Sequence, residues 1–332
     1  MTAAIKTENL SKYFDSIKAV SDLSLEIAEG EIFGLVGPDG AGKTTTMRLL
    51  STILDPTSGE AWVAGHNIIK EAETIKEKIG YMSQRFGLYP DLTVMENILF
   101  YADIYGVSRK GREERINRLL SFSNLTPFKK RQAGNLSGGM KQKLGLACAL
   151  IHTPEVLFLD EPTNGVDPVS RRDFWRILYQ LLKEKVTIFI STAYLDEAER
   201  CNRIGLIHQG KILALGTPEE VKQLMKGTIL EIRSDQPRRV TALLRENYAA
   251  DSVGLFGDRV HLISETPEED SKKAEKMMVG AGFHSLGINP IEPSLEDVFI
   301  SVVAQQEESP SHPNFNPPAG KEGEIIHRRD SL

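Results

Sequence analysis

Over roughly the first 30 residues apolar and polar positions alternate, as in IKTENLSKYF and KAVSDLSLEIAEGE, which is the pattern of antiparallel strands with one solvated face. EIFGLVG then runs almost wholly apolar into a glycine-rich turn, and TTTMRLLSTIL beyond it carries helical spacing. Two more short apolar runs, EVLFLD and VTIFIST, are each followed by a helical stretch, PVSRRDFWRILYQLLKEK and YLDEAERCN. Strand, loop and helix repeated in this way predict a parallel sheet covered by helices. Between these units, from about residue 85 to 150, TVMENILFYADIYG, RKGREERINRLLSFSN and GGMKQKLGLACALIH predict an inserted helical subdomain. IGLIHQGKILALGTPEEVKQLM reads as a hairpin and a short helix that close a first domain spanning about 1–226. The segment 227–304 reads βαββαβ followed by a helix, the order of a small ferredoxin-like α+β module. From Gln305 onward the chain is polar and rich in Pro, Ser, Asn and Gly, which predicts a disordered tail over 305–332.

Composition narrows the class. With 332 residues, 40% hydrophobic and 26% charged, the chain is of ordinary globular type, long enough for one large domain and a smaller one. A net charge of −6 argues against a general nucleic-acid binder. Cys148 and Cys201 are too few for a disulfide framework or a thiolate metal site and suit a reducing compartment. The start, MTAAIKTENL, lacks the basic and apolar regions of a signal peptide, and no run approaches the ~18 to 20 apolar residues that cross a bilayer.

The chemistry concentrates at strand ends. GPDGAGKT, from Gly37 to Thr44, matches G-x-x-x-x-G-K-[ST] at a predicted strand-to-helix junction. There Gly37, Gly40 and Gly42 allow backbone N–H groups to approach phosphates, Lys43 supplies a cation, and Thr44 offers a hydroxyl to Mg2+. VLFLDE places Asp160 and Glu161 at the end of a buried strand, where ligands bind in open α/β sheets. Asp160 suits coordination of Mg2+ and Glu161 suits polarising the attacking water, so ATP and Mg2+ are the expected ligands.

NLSGGMKQKLGLA, from Asn135 to Ala147, resembles the signature motif of ABC-transporter ATPases, and the similarity continues through IGYMSQ, DEPTNGVDP and STAYLDEAER. It covers roughly residues 5 to 226 and implies a P-loop NTPase core with an antiparallel β subdomain and a helical insertion. It also implies a head-to-tail dimer, with ATP held between one phosphate loop (Gly37, Pro38, Asp39, Gly40, Ala41, Gly42, Lys43, Thr44, Thr45) and the other copy's Ser137, Gly138 and Gly139. A plain helix cap would account for Ser137 but not for the glycine pair. The resemblance gives Gln84 a place at Mg2+ or the water and marks the loop that feels the membrane partner. It gives Phe14 the stack on adenine and Asp167 communication across the dimer, although Asp167 is equally suited to capping the next helix. Phe86, Leu88 and Tyr89 fit either a surface for the partner's coupling helix or simple core packing.

Two positions depart from the pattern. Ala193 stands where the family has histidine, which predicts slow hydrolysis at this chain's own phosphate loop and suggests an asymmetric pair in which this subunit completes the active site of a different ATPase; the second ATP-binding subunit is either another copy (homodimer) or such a partner (heterodimer). Thr192 and Tyr194 are the neighbours able to substitute in part. Asp39 replaces a common asparagine, and an outward side chain is expected beside a triphosphate. Among relatives, GPDGAGKT, SQRFGLYPDLTVMEN, SGGMKQKLGLACAL and PSLEDVFISVV look most like the bacterial exporter branch with an ABC-2-type membrane permease, including multidrug-efflux ATPases. A peripheral place on the cytoplasmic face of the inner membrane is implied by that resemblance. The alternative is a regulatory subunit that binds ATP with little hydrolysis.

Overall fold

A computed structural model describes residues 3–84, 87–249 and 252–307. Its first layer is an antiparallel sheet of β1 (Ala3–Phe14), β2 (Ile17–Ala28), β4 (Ser58–Val63) and β5 (His66–Asn67), in the order β2-β1-β4-β5. The alternating pattern is realised in large part: Ile5, Leu10, Leu23, Leu25 and Ile27 are buried while Lys6, Glu8, Ser24 and Glu26 are exposed, and an irregularity between Thr7 and Leu10 shifts the phase, with Thr7 and Ser11 buried as well.

The second sheet joins β3 (Ile32–Val36), β6 (Ile79–Met82), β7 (Val156–Asp160), β8 (Thr187–Thr192), β9 (Arg203–His208) and β10 (Lys211–Gly216), in the order β10-β9-β3-β8-β7-β6. All neighbours are parallel except the hairpin β9–β10. Every residue of β3, β7 and β8 is buried, as expected of strands covered on both faces. One face packs against β1, β2 and α1 (Lys43–Leu50), and the other packs against α5 (Gly138–Ala149) and α6 (Pro168–Lys183). Register decides where the polar residues gather. Val36 pairs with Thr192 and Asp160 pairs with Ser191, so the carboxyl ends of β3, β8 and β7 finish side by side.

Helix α2 (Ala72–Lys78) leads into β6, and helices α3 (Val94–Ile104), α4 (Arg112–Phe122) and α5 enclose a core of their own around Ile98, Leu120 and Leu144. A capping box of Thr93 and Glu96 starts α3. The helix expected over YLDEAERCN shrinks to α7 (Leu195–Ala198). The next two residues close three-residue turns instead, Arg200 N–H to Glu197 O and Cys201 N–H to Ala198 O, because the chain must enter β9 at once.

After α8 (Pro218–Lys222) come β11 (Thr228–Ser234), α9 (Pro237–Arg245), β12 (Val253–Phe256), β13 (Arg259–Ser264), α10 (Pro267–Gly280), β14 (Ser285–Ile291) and α11 (Leu295–Glu307). The strands form an antiparallel sheet β12-β13-β11-β14, which is the expected ferredoxin-like order. Leu230, Val240, Val260 and Met278 fill its own core. On the other face Ile229, Leu295 and Val298 join Leu206, Ala214, Val221 and Met225 of the first domain in one cluster. Phe299 of α11 sits edge-on to His208, with centroids 6.1 Å apart, and His261 Nδ1 meets Asp297 Oδ1 at 2.8 Å. Helix α11 reaches Glu307, three residues into the expected tail, and 308–332 lie outside the described residues.

Candidate functional site

The phosphate loop leaves β3 and enters α1. Two of its glycines are required by packing: a Cβ at Gly37 would lie 2.1 Å from Ile207 O, and one at Gly42 2.3 Å from Ala19 O. Gly42 also has φ 107°, a conformation that excludes ordinary side chains at low cost, and its position starts the helix. Gly40, with φ 78°, faces open space, and Ala41 is buried with its carbonyl accepting from Gly210 N–H at 2.9 Å. Thr45 lies half-buried in the first turn of α1, which carries no acidic residue to offset the positive end of the helix.

Lys43 is 4% exposed, and its Nζ donates to Gly37 O at 2.8 Å and to Pro38 O at 3.0 Å. A buried ammonium needs a counter-charge, and Glu161 Oε1 provides it at 3.1 Å. The Asp39 side chain is 95% exposed, the outward orientation expected from sequence, with Oδ1 4.0 Å from Lys43 Nζ.

Asp160, 1% exposed, accepts on Oδ1 from Thr44 Oγ1 at 3.0 Å and from Ser191 Oγ at 2.7 Å. Burial and the Asp160 charge push the nearby Tyr81 hydroxyl above its ordinary pKa. Glu161 adopts φ 47°, rare for a residue with a side chain, and is pinned there by its N–H, which donates to Ser191 O at 3.2 Å and Ser191 Oγ at 3.0 Å. Gln84 Nε2 donates to Glu161 Oε2 at 2.8 Å, which leaves the amide carbonyl oxygen as that side chain's free lone-pair donor. Thr44, Asp160 and Gln84 are thus hard oxygen donors converging beside a cationic loop, a set that fits Mg2+ completed by phosphate and water. Among the described residues no group of three His, Cys, Asp or Glu side chains forms a closed metal cage.

The second candidate cluster lies apart. Ser137 caps α5, accepting from Met140 N–H at 3.3 Å. A Cβ at Gly139 would meet Ser170 at 2.5 Å, whereas one at Gly138 would meet nothing within 4 Å. Packing inside the chain therefore explains Gly139 but leaves Gly138 open to something outside it.

The family described as ABC transporter matches residues 20–164, and the ATP-binding protein DrrA1-3-like C-terminal domain matches 216–303. The probable multidrug ABC transporter ATP-binding protein YbhF of Escherichia coli K12 is 41% identical over 98% of this chain and 56% of its own length. The bacitracin transport ATP-binding protein BcrA of Bacillus licheniformis is 34% identical over 91% of this chain and 98% of its own. The chain belongs to the ATP-binding subunits of ABC transporters, an ATPase family. It spans about half the length of YbhF, and less than two thirds of that protein is represented. Among solved structures, cbiO1 of Clostridium perfringens, part of the ABC transporter complex cbiONQ, superimposes with a TM-score of 0.62 at 28% identity, covering 67% of this chain and 91% of that one. A dimeric cassette, MJ0796, in a post-hydrolysis state bound to ADP and Pi, gives 0.59 at 26% identity over 64% and 98%.

Within this ABC cassette the remaining candidates take less central positions. Phe14 ends β1, 42% exposed, with Lys12 Nζ 5.2 Å from its ring centroid. Asp167 caps α6 through Val169 and Ser170 N–H groups, and the Ser170 bond chiefly holds its carboxyl below the ordinary range. Tyr89 is 45% exposed, packs edge-on to Phe100, and has its backbone gripped by fully buried Asn97. Leu88 packs partly buried against the helical core, and Phe86 lies outside the described residues. Ala193 borders a cleft of about 150 Å3 together with Asp39, Glu161, Asn164 and Tyr194.

Three residues of the site escape a reading of the sequence. Ser191 ties Asp160 to Glu161, Asn164 Nδ2 donates to Glu161 Oε2 at 3.3 Å, and the fully buried Glu197 accepts from Thr192 Oγ1, Trp175 Nε1 and Thr163 Oγ1. The signal that could have found them is polarity inside VTIFIST and in the segments around it, since a buried serine or glutamate there needs partners.

Proposed function

We propose that this chain binds and hydrolyses ATP to drive export through a separate ABC-2-type permease. The observation that carries the reading is the convergence of Lys43, Thr44, Asp160, Glu161 and Gln84 on the carboxyl ends of adjacent parallel strands. Lys43 exchanges its hold on Glu161 for the β- and γ-phosphates. Thr44, Asp160 and Gln84 are the residues that would hold Mg2+, which when bound would neutralise charge on the phosphates. Glu161, released from Lys43, orients the attacking water and takes its proton. Gly138 and Ser137 offer N–H and hydroxyl donors to the nucleotide of a second copy, so closure of a dimer completes each site.

The cargo proposed is drugs or other hydrophobic compounds, in keeping with the multidrug and bacitracin relatives. No helix among the described residues is long and apolar enough to cross a membrane; the place proposed, peripheral on the cytoplasmic face of the inner membrane beside a permease, is supported by the likeness to ATP-binding proteins of transporters. A groove of about 940 Å3 between the sheet and the helical layer, lined by Ile53, Ile104, Tyr105 and Arg112 among others, suits the permease's coupling helix. Ala193 favours a second reading, a subunit that clamps ATP with little turnover and completes the active site of a different ATPase. Purification from membranes identifies the permease and the number of ATPase kinds; recovery of this chain with no membrane protein overturns the export reading. Equal hydrolysis by the wild type and Glu161→Gln selects the clamp.

A further inference from the structure

The side chain expected at position 193 is missing, yet Glu161 is still held from that direction. Tyr194 Oη donates to Asn164 Oδ1 at 3.4 Å, and Asn164 Nδ2 donates to Glu161 Oε2 at 3.3 Å. The amide has one sensible orientation here. Turned over, its carbonyl oxygen would face the Glu161 carboxylate, acceptor against acceptor.

The tyrosine is itself held at two further points. The Arg171 guanidinium lies 4.5 Å from its ring centroid. The Tyr194 N–H donates to Thr192 Oγ1 at 2.9 Å, and that hydroxyl donates at 2.9 Å to Glu197, a carboxylate with no exposure to solvent. Arg171 also faces Glu197 at 3.6 Å, so the ring, the turn after β8 and helix α6 form one rigid bracket.

We propose that Tyr194, acting through Asn164, is the positioning residue that orients the Glu161 carboxylate in place of an imidazole at position 193. Two amides, Gln84 and Asn164, grip Oε2, while among the described residues Oε1 is held by Lys43 alone. Once Lys43 turns to phosphate, Oε1 is the free oxygen and its direction is set by the grip on Oε2. Tyr194 never needs to touch the nucleotide. Its role rests on Glu161 acting as the base.

The test is hydrolysis by the full-length chain, by steady state and by single turnover with enzyme in excess, which also reads slow sites. Tyr194→Phe keeps the ring and the Arg171 contact and removes only the hydroxyl; kcat falls about fivefold while KM for Mg·ATP stays within about twofold. Asn164→Asp retains the acceptor for Tyr194 but sets a second carboxylate beside Glu161. It lowers kcat further, and the double variant is no slower than Asn164→Asp alone. In an Ala193→His background the same Tyr194→Phe change costs less than about twofold, because the imidazole then does the tyrosine's work. A kcat within twofold of wild type for Tyr194→Phe, a rise in KM alone, or additive effects of the two variants overturns the proposal. Glu161→Gln is measured alongside: turnover that survives it removes Glu161 as base, whereas turnover lost there and untouched by Tyr194→Phe removes only the tyrosine's role.

Discussion

Ser191→Ala is the substitution that most directly weighs the bracket beneath the two carboxylates. Ser191 is fully buried; its hydroxyl donates to Asp160 at 2.7 Å and accepts from the Glu161 N–H at 3.0 Å. The second of these losses is mild, because the same N–H keeps the Ser191 carbonyl at 3.2 Å. The first is a hydrogen bond to a buried charge, which contributes about 1.5–3 kcal/mol. The vacated volume is smaller than a methyl group and adds under ~1 kcal/mol. The expected loss is therefore about 2–3 kcal/mol. Urea unfolding followed by the fluorescence of Trp62 and Trp175, the latter 1% exposed, reads it as a shift in midpoint at constant slope. With one of the two acceptors of its N–H gone, Glu161 also has reason to relax from its strained φ of 47°, so kcat falls about tenfold at saturating ATP. A stability loss below about 0.5 kcal/mol with unchanged turnover refutes the assignment of Ser191 as the tie between the carboxylates.

The two signature glycines separate in the same kind of measurement. Gly139→Ala forces a Cβ to within 2.5 Å of Ser170 and destabilises the chain by about 1–3 kcal/mol, whereas Gly138→Ala meets open space and stays within about 0.5 kcal/mol in urea while lowering ATPase activity. Stability loss on Gly138→Ala contradicts this division. Acid weakens the hold of α11 on its sheet. Burial alone would raise the Asp297 pKa, but hydrogen bonds from His261 and Ser294 outweigh it and hold the carboxyl below its ordinary value. Its contribution is present above the ordinary aspartate range and is lost as the pH falls through the lowered value, so urea midpoints drop on acidification and Asp297→Asn flattens that part of the profile. Cys148 and Cys201 are buried thiols whose pKa burial pushes well up, so an aromatic disulfide reagent modifies them in denaturant and leaves the native chain nearly untouched. Rapid native labelling contradicts the packing around them.

Local sequence carries the strands, the phosphate loop and the order of the C-terminal module, because each is written in a period of two, a glycine spacing or a short apolar run. The pairing of Lys43 with Glu161, more than a hundred positions away along the chain, is not legible there, since it depends on which strand ends finish side by side. Register also hides Ser191, a polar residue that reads as filler in VTIFIST until β8 is set beside β7. The short α7 escapes because helical pattern continues past Ala198 while the chain is already turning toward β9. Asp167 stands between two roles in sequence; its cap on α6 is visible within one chain.

The β9–β10 hairpin touches both ends of the molecule. Gly210 holds Ala41 of the phosphate loop, Ile207 stands against Gly37, and the neighbouring His208 carries Phe299 of the last helix. Two modules that look separable in sequence thus share a wall. An exchange of C-terminal modules between related subunits would also change the support behind the nucleotide loop, and a cassette cut free of its module would carry an uncovered apolar flank at Leu206, Val221 and Met225. The accessory module is part of the cassette's frame as well as its appendage.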